Sequence, residues 1–499
     1  MVHLPWVVDL NSTRRLDRDR RTSNYPDMND STKQSPWYSG ITRYQWIVLL
    51  IASLGWVFDI FEGQVFIATK NVVTPALVRM EYPDASKDDV ESWAKQYDNY
   101  TLAAFLAGGA LGGIFFGMLS DRIGRKQTMV ITILIYSAFT ALSAIAQTWW
   151  QMAILRFLVA MGVGGEWAVA SAMVAEVFPP KARAWSLGIF HASSVLGTYL
   201  GVFAKTIFVD TGWFVSESMP SLPWRLCYLV GVLPALLTIW IRASLKEPES
   251  WEKVKKESDE GTGKKVGNLG ELFSQQLWLR TVVGVGLAAV GLATFWGAHV
   301  NGKDRLMRTV KNEYLVAAGV SQDAAKAEKD AVLEQHEQST NRWDSLGMFL
   351  VTSGGGLGLI CFGPLAERIG RRGTFLFYHI GALVISLYVF TQTIPSTILA
   401  VLLPLFGFLT LGMHAGYAIY FPELYPTRIR GTGAGFCFNA GRIIAAPILI
   451  LKAYMLSTVD KGGWGYSPDG AAATLCLLFA GAFIMLLFAP ETKGQPLPE

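Results

Sequence analysis

The sequence predicts an all-α membrane protein with twelve transmembrane helices in two pseudo-symmetric six-helix bundles. Three observations lead there. Of 499 residues, 51% are apolar or aromatic and only 16% charged, where a soluble chain carries nearer a quarter; the mean hydropathy is +0.32. The apolar residues gather in blocks of about 20, the length that crosses a bilayer core. Two motifs also recur at nearly the same step along the chain. GMLSDRIGRK (Gly117–Lys126) returns as GPLAERIGRR (Gly363–Arg372), and Glu176-x-x-Pro179-x-x-x-Arg183 returns as Glu423-x-x-Pro426-x-x-x-Arg430. A duplicated six-span unit explains both. A soluble globule, a coiled coil and a disordered chain are excluded.

Residues 1–43 are polar and hold Arg14, Arg15, Arg18, Arg20, Arg21, Lys33 and Arg43 without the apolar core of a signal peptide. They read as a cytoplasmic N-terminal tail. Apolar blocks place spans near 45–68, 98–119, 127–147, 149–172, 185–208 and 225–242, which make the first bundle, residues 44–242. A polar linker, 243–279, carries Lys253, Lys255, Lys256, Lys264 and Lys265. The second bundle, 280–489, takes spans near 280–299, 345–364, 374–392, 396–420, 431–455 and 470–489, and residues 490–499 form a C-terminal tail. All spans are helical, because a segment in lipid must satisfy its own backbone.

Basic residues orient the chain. Arg122, Arg125 and Lys126 follow span 2, and Arg368, Arg371 and Arg372 follow span 8, whereas the loops after spans 3 and 9 hold none. Both termini are therefore expected on the cytoplasmic side of the inner membrane. Residues 301–343 fall outside; they read either as an amphipathic helix capping the mouth or, the reading we favour, as a solvated insertion.

The net charge of +4 gives no case for nucleic-acid binding. Cys227, Cys361, Cys437 and Cys476 sit in apolar runs and suggest neither disulfides nor a metal site. No phosphate-binding GxxxxGK[ST], HExxH or nucleophile elbow occurs. Neither an enzyme nor an ATP-driven pump is expected, and no cofactor.

The sequence resembles the major facilitator superfamily from about residue 43 to 499. GMLSDRIGRK is similar to that family's loop between spans 2 and 3, and Leu155-Arg156 with Gly162-Val163-Gly164 to its span-4 motif. Pro490-Glu491-Thr492-Lys493-Gly494 resembles the ending of sugar porters. Gly164-Gly165-Glu166-Trp167, Pro223-Trp224-Arg225 and Lys246-Glu247-Pro248-Glu249-Ser250-Trp251 look closer to metabolite:proton symporters of the sialate and monocarboxylate branch. The resemblance implies two bundles around a central cavity that opens alternately to either side.

Deep charges are the candidates for chemistry, since an acid at membrane depth costs about 2.5–3.5 kcal/mol. Asp59 and Glu62 share one face of span 1. The resemblance carries Asp59 over as a protonation site, and related symporters pair this acid with the span-4 arginine, here Arg156. Protonating Asp59 would then free Arg156 for a substrate carboxylate; a static bolt between the helices is the alternative. Arg442 on span 11 suits bidentate carboxylate recognition, or pairs with Glu62 or Glu166. Glu166 is a second protonation site or part of an inner gate.

His191, His414, Gln64 and Asn439 are candidates to touch substrate or simply pack. Trp56, Phe61, Trp296, Tyr417 and Tyr420 either line the cavity or belong to the core. Asp121, Arg122, Arg125, Glu176 and Arg183, with Glu367, Arg368, Arg371, Glu423 and Arg430, gather on the cytoplasmic face. In the family such networks latch the halves. Gly108, Gly109, Gly112, Gly113 and Gly117 on span 2, with Gly354, Gly355, Gly356 and Gly358 on span 8, have the spacing for close helix contact.

Together these readings predict proton-coupled symport of a small organic anion (a monocarboxylate, sialate or related acid) by a protein working as a monomer in the bilayer. A symporter of a neutral sugar or polyol is the alternative, and a non-transporting sensor a remote one.

Overall fold

The computed structural model describes residues 36–321 and 323–499; the arginines of the expected N-terminal tail, Arg14 to Arg21, lie outside them. Residues 37–39 make a turn, and every span lies within residues 40–499. Among the described residues there is no strand. Ten helical segments are long and apolar enough to cross a membrane. One of them, Glu337–Thr391, is two spans joined across Gly370, where φ is +84°. The shorter Arg125–Ser143 completes the twelve.

In the first bundle the spans are Arg43–Glu81, Lys87–Ile123, Arg125–Ser143, Trp149–Val177, Pro180–Asp210 and Leu222–Ile241. In the second they are Trp278–Ala317, the two within Glu337–Thr391, Ser396–Leu424, Thr427–Leu456 and Pro468–Phe488. Span 1 starts where Thr42 and Gln45 exchange side-chain and backbone hydrogen bonds, a capping box. Spans 3 and 9 start after glycines with positive φ, Gly124 (+108°) and Gly370.

The glycine spacing works as expected. A methyl on Gly108 or Gly112 would strike the carbonyl oxygen of Phe157 or Met161 at about 2 Å, and one on Gly354 or Gly358 that of Pro404 or Phe408 at a similar distance. Spans 2 and 4, and spans 8 and 10, therefore touch backbone to backbone.

Two expectations need correction. Spans 1 and 2 overrun their apolar blocks and form a helical hairpin past them, closed by Val78, Val90 and Ala94 with Trp93 and Tyr97 packed against them. Hydropathy marks where a helix meets lipid, not where it stops.

The 301–343 segment is solvated only in part: its first helix is tied to the second bundle, while Lys326–Gln335 has no buried residue. Helix Asn301–Ala317 prolongs span 7 through a wide turn at Phe295–His299, and Lys326–Gln335 follows. Arg305 donates to Val389 O (3.3 Å) and Gln392 O (2.9 Å) and pairs with Asp469 (3.0 Å), which Arg308 also binds. Glu313 accepts from Ser396 N at 2.7 Å. Arg305, Arg308 and Glu313 thus tie its first helix to the end of span 9 and the starts of spans 10 and 12.

Candidate functional site

Span 1 enters the first bundle with Asp59 and Glu62 fully buried, and span 4 brings Arg156 and Glu166, equally buried. Asp59 and Arg156 are not partners. Arg156 donates to Glu62 O (3.0 Å), Thr140 Oγ1 (3.0 Å) and Ser143 Oγ (3.1 Å), and its guanidinium lies over the Tyr228 ring at 5.1 Å. Its charged neighbour is Glu62. One turn further along, Asp59 instead has Glu166, Arg442 and Glu62 as its charged neighbours. Helix rotation decides this: Glu62, not Asp59, faces spans 3 and 6, where Gly231 leaves room beside Thr140 and the Glu62 carboxylate.

Arg442 lies on span 11, in the other bundle. Its guanidinium sits against Gly109 of span 2 and over the Phe438 ring at 5.2 Å, with no carboxylate of the described residues within ion-pair distance. The pairing with Glu62 or Glu166 is thus absent. Asn439 next to it packs on Gly113; its Nδ2 donates to Gly435 O, while Oδ1 is buried without a partner. Around them aromatic rings from both bundles meet: Trp167 stacks on Phe438 at 4.3 Å, and Tyr417 on Phe421 at 5.3 Å.

His191 and His414 are brought together as electrostatic neighbours from spans 5 and 10. His191 Nδ1 accepts from Trp167 Nε1 (3.1 Å), and its carbonyl accepts from Trp56 Nε1 (3.2 Å). His414 Nδ1 faces Leu411 O, and Nε2 has no partner. His299 on span 7, which the sequence reading passed over, joins them by stacking on Phe295 (5.1 Å). Gln64 stands apart, its Cβ against Gly201 of span 5. Tyr417 and Tyr420 donate to Leu287 O and Pro490 O, a packing role. Tyr228 and Thr140 were also missed, for neither is charged and only their contact with Arg156 marks them.

At the end of the molecule carrying the repeated loops, the motif charges form a lattice. Arg125 pairs with Asp121 and Glu176, both at 2.9 Å, and Arg371 pairs with Glu367 and Glu423 at 2.9 and 2.8 Å. Three links cross between bundles. Arg430 reaches Glu176 at 2.7 Å, Arg125 donates to Thr427 O at 3.0 Å, and Asp121 accepts from Gly431 N, Thr432 N and Thr432 Oγ1. Arg183 donates to Ala175 O as Arg430 does to Pro422 O. Arg122 joins through Gly267 O of the linker, whose N–H donates to Arg428 O. Arg368 lends only its carbonyl, to Lys493. The linker is therefore part of the lattice, and its Trp251 donates to Asp121 O at 2.7 Å.

Two acids outside the spans complete the symmetry. Glu247 accepts from the N–H groups of Arg125, Lys126 and Gln127 at the start of span 3, and Glu491 from those of Arg371 and Arg372 at the start of span 9. Carboxylates are favoured there by the free N–H groups and the helix dipole. Burial, against those three donors, holds Glu247 above the usual carboxylate range. Burial also pushes Glu491 up, but the N–H groups of Arg371, Lys493 and Arg372 outweigh it and hold it below that range.

A family model described as "Major Facilitator Superfamily" matches residues 44–321, and one described as "Sugar (and other) transporter" matches 332–499. A "Probable 4-methylmuconolactone transporter" of Cupriavidus pinatubonensis is 26% identical over 460 residues, covering 92% of this chain and 93% of its own. The "Cis,cis-muconate transport protein" of Acinetobacter baylyi is 29% identical, covering 76% and 83%. "Sialic acid transporter NanX" of Escherichia coli is 27% identical, covering 92% and 97%. Among solved structures, the proton:xylose symporter XylE aligns with a TM-score of 0.67 at 18% identity, covering 91% of this chain and 98% of that one.

Proposed function

The chain belongs to the Major Facilitator Superfamily, is an integral membrane protein and not an enzyme, and on that premise we propose that it carries a small organic acid together with protons by alternating access. The observation that carries this reading is Arg442, a cation lodged between the bundles at membrane depth with no carboxylate of the described residues within ion-pair distance. Arginine stays protonated in proteins, and a charge buried in a membrane protein needs a counter-ion or marks a substrate path. The charged neighbour of Arg442 is Asp59 of span 1, and once that carboxyl takes up a proton an organic anion supplies the charge Arg442 then lacks. The ring of Phe438 beside it, with Trp167 stacked on that ring, suits a flat, unsaturated acid, in keeping with the muconate and methylmuconolactone names of two relatives.

Coupling to protons is supported by the oxygens of Asp59 and Glu62, buried without hydrogen-bond partners. A buried carboxyl pairs or is neutralised, and here a proton is the neutraliser at hand. One elementary charge crossing 100 mV is worth about 2.3 kcal/mol to the cycle. The lattice at the repeated loops, assigned to the cytoplasmic side by its arginines, holds that end shut while the site faces outward.

The test is uptake of labelled cis,cis-muconate, niacin, sialic acid and xylose into proteoliposomes, with and without an inward proton gradient. Gradient-driven uptake of an acid that Arg442→Gln abolishes is the expected result. Uptake of xylose alone would overturn the anion reading, and gradient-independent uptake would overturn the coupling.

A further inference from the structure

Two histidines meet across the seam between the bundles, and their partners fix which ring nitrogen of each carries the hydrogen. His191 stands beside the break in span 5 at Ser193. Span 5 lies on the seam, its Tyr199 hydroxyl 2.9 Å from Ser353 Oγ of span 8. His414 of span 10 is the electrostatic neighbour of His191, and both side chains are buried. Among the described residues neither has a carboxylate as a charged neighbour. A buried charge without a partner is neutralised, so each ring holds one N–H and one lone pair.

An indole N–H only donates, so the 3.1 Å bond from Trp167 requires a lone pair on His191 Nδ1 and places the hydrogen on Nε2. A carbonyl only accepts, so the 3.1 Å contact with Leu411 O requires the hydrogen on His414 Nδ1 and leaves the lone pair on Nε2. That lone pair is buried without a partner. His299 beside it has the same polarity. Thr410 spends its hydroxyl hydrogen on Phe406 O at 2.6 Å, so His299 Nδ1 donates to Thr410 Oγ1 at 2.7 Å. The first bundle thus brings a donor to the seam, and the second an unfilled acceptor.

We propose that His191 and His414 read a hydroxyl group on the transported acid, the hydroxyl accepting from His191 Nε2 and donating to His414 Nε2. The inference rests on the organic-acid reading above and adds a second recognition point to Arg442. A hydroxyl accepts and donates at once, whereas a carboxylate, a ketone or an ether would set lone pair against lone pair at His414. Leaving a buried acceptor unfilled is costly, so an acid that brings a donor is selected over its donor-free analogue. The two recognition points flank one stack of rings. Arg442 lies over Phe438 at 5.2 Å, Phe438 stacks on Trp167 at 4.3 Å, and Trp167 holds His191. Because the histidines belong to different bundles, the hydroxyl bridges them only while spans 5 and 10 are together, and it favours that loaded, closed state.

The test compares benzoate with its hydroxy and methoxy derivatives, each ring position in turn, by calorimetry on the protein in nanodiscs. Wild type should bind the best hydroxy acid at least about tenfold more tightly than benzoate or the matching methoxy acid. His414→Asn keeps a donor for Leu411 O and loses the Nε2 acceptor; His191→Asn keeps an acceptor for Trp167 and loses the Nε2 hydrogen. Each should shrink that advantage to less than about threefold while benzoate affinity holds, and Arg442→Gln should weaken all the acids alike. Nitrogen-15 spectra of labelled histidine, assigned with the two Asn variants, need no ligand and should show the hydrogen on His191 Nε2 and on His414 Nδ1. The reverse tautomers would overturn the proposal. So would equal binding of all the acids by wild type, or a loss in the Asn variants shared equally by benzoate and the hydroxy acids. If xylose alone binds, the organic-acid reading fails by itself, and the same variants measured with xylose and its deoxy analogues decide the histidine pair.

Discussion

Arg156 and Arg442 show how much one side chain's surroundings decide. Both read from the sequence as deep cations in need of an anion, and both are deep. Their partners were not legible, because spacing fixes which acids share a face of span 1 but not how that helix is rotated against spans 3, 4 and 6. Arg156 is held by three hydrogen bonds and an aromatic ring, and lysine offers neither the fork nor the flat face. Arg156→Lys should therefore lower the melting temperature by several degrees, checked by thermal unfolding in lipid nanodiscs. Arg442 makes no such bonds, so Arg442→Gln should leave melting within about a degree or two. It should instead weaken acid binding by roughly 10- to 100-fold, since a bond to a charged group is worth about 1.5–3 kcal/mol. Equal loss of melting temperature in both would refute this division.

At the level of elements, the apolar blocks announced every span, and the loop motifs announced the repeat. What hydropathy could not show was the polar continuation of spans 1, 2 and 7 and the attachment of the linker, because those are held by side-chain contacts rather than by lipid. The caps on spans 3 and 9 are such a case. Glu247 and Glu491 occupy matching places, yet burial wins at the first and the backbone donors win at the second. A carboxyl held below its unfolded value stabilises the fold above that value, about 4.5, and loses the contribution as pH falls through it. One held above has the opposite slope and is relieved by acid. Glu491→Gln should therefore lower the melting temperature at pH 7 and flatten its fall as pH drops below about 4.5. Glu247→Gln should cost less at pH 7 and steepen that fall. Melting curves of the two variants across this range check the prediction; parallel curves would refute it.

Across the whole molecule, the duplication decides where motion is possible. Each bundle pairs its own loop arginine with its own acids, Arg125 with Asp121 and Glu176, Arg371 with Glu367 and Glu423, though Arg125 also donates across to Thr427 O. Among the described residues the ion pair that joins the bundles is Arg430 with Glu176, both side chains fully buried. Breaking a buried pair usually costs about 3–5 kcal/mol because an uncompensated charge remains. Here Glu176 keeps Arg125 when Arg430 is removed, so less of that cost falls on folding. The remainder falls on the contact between bundles, hence on the balance between the state shut at the repeated loops and the state open there. A bias of about 2 kcal/mol moves such a balance roughly 30-fold. Arg430→Ala should thus lengthen the distance between spin labels at Lys126 and Arg372, while the melting temperature falls only modestly. The charge-conserving Arg430→Lys should restore much of the shorter population. If the label distances stay as in wild type and only melting falls, the pair fastens the fold and does not gate it.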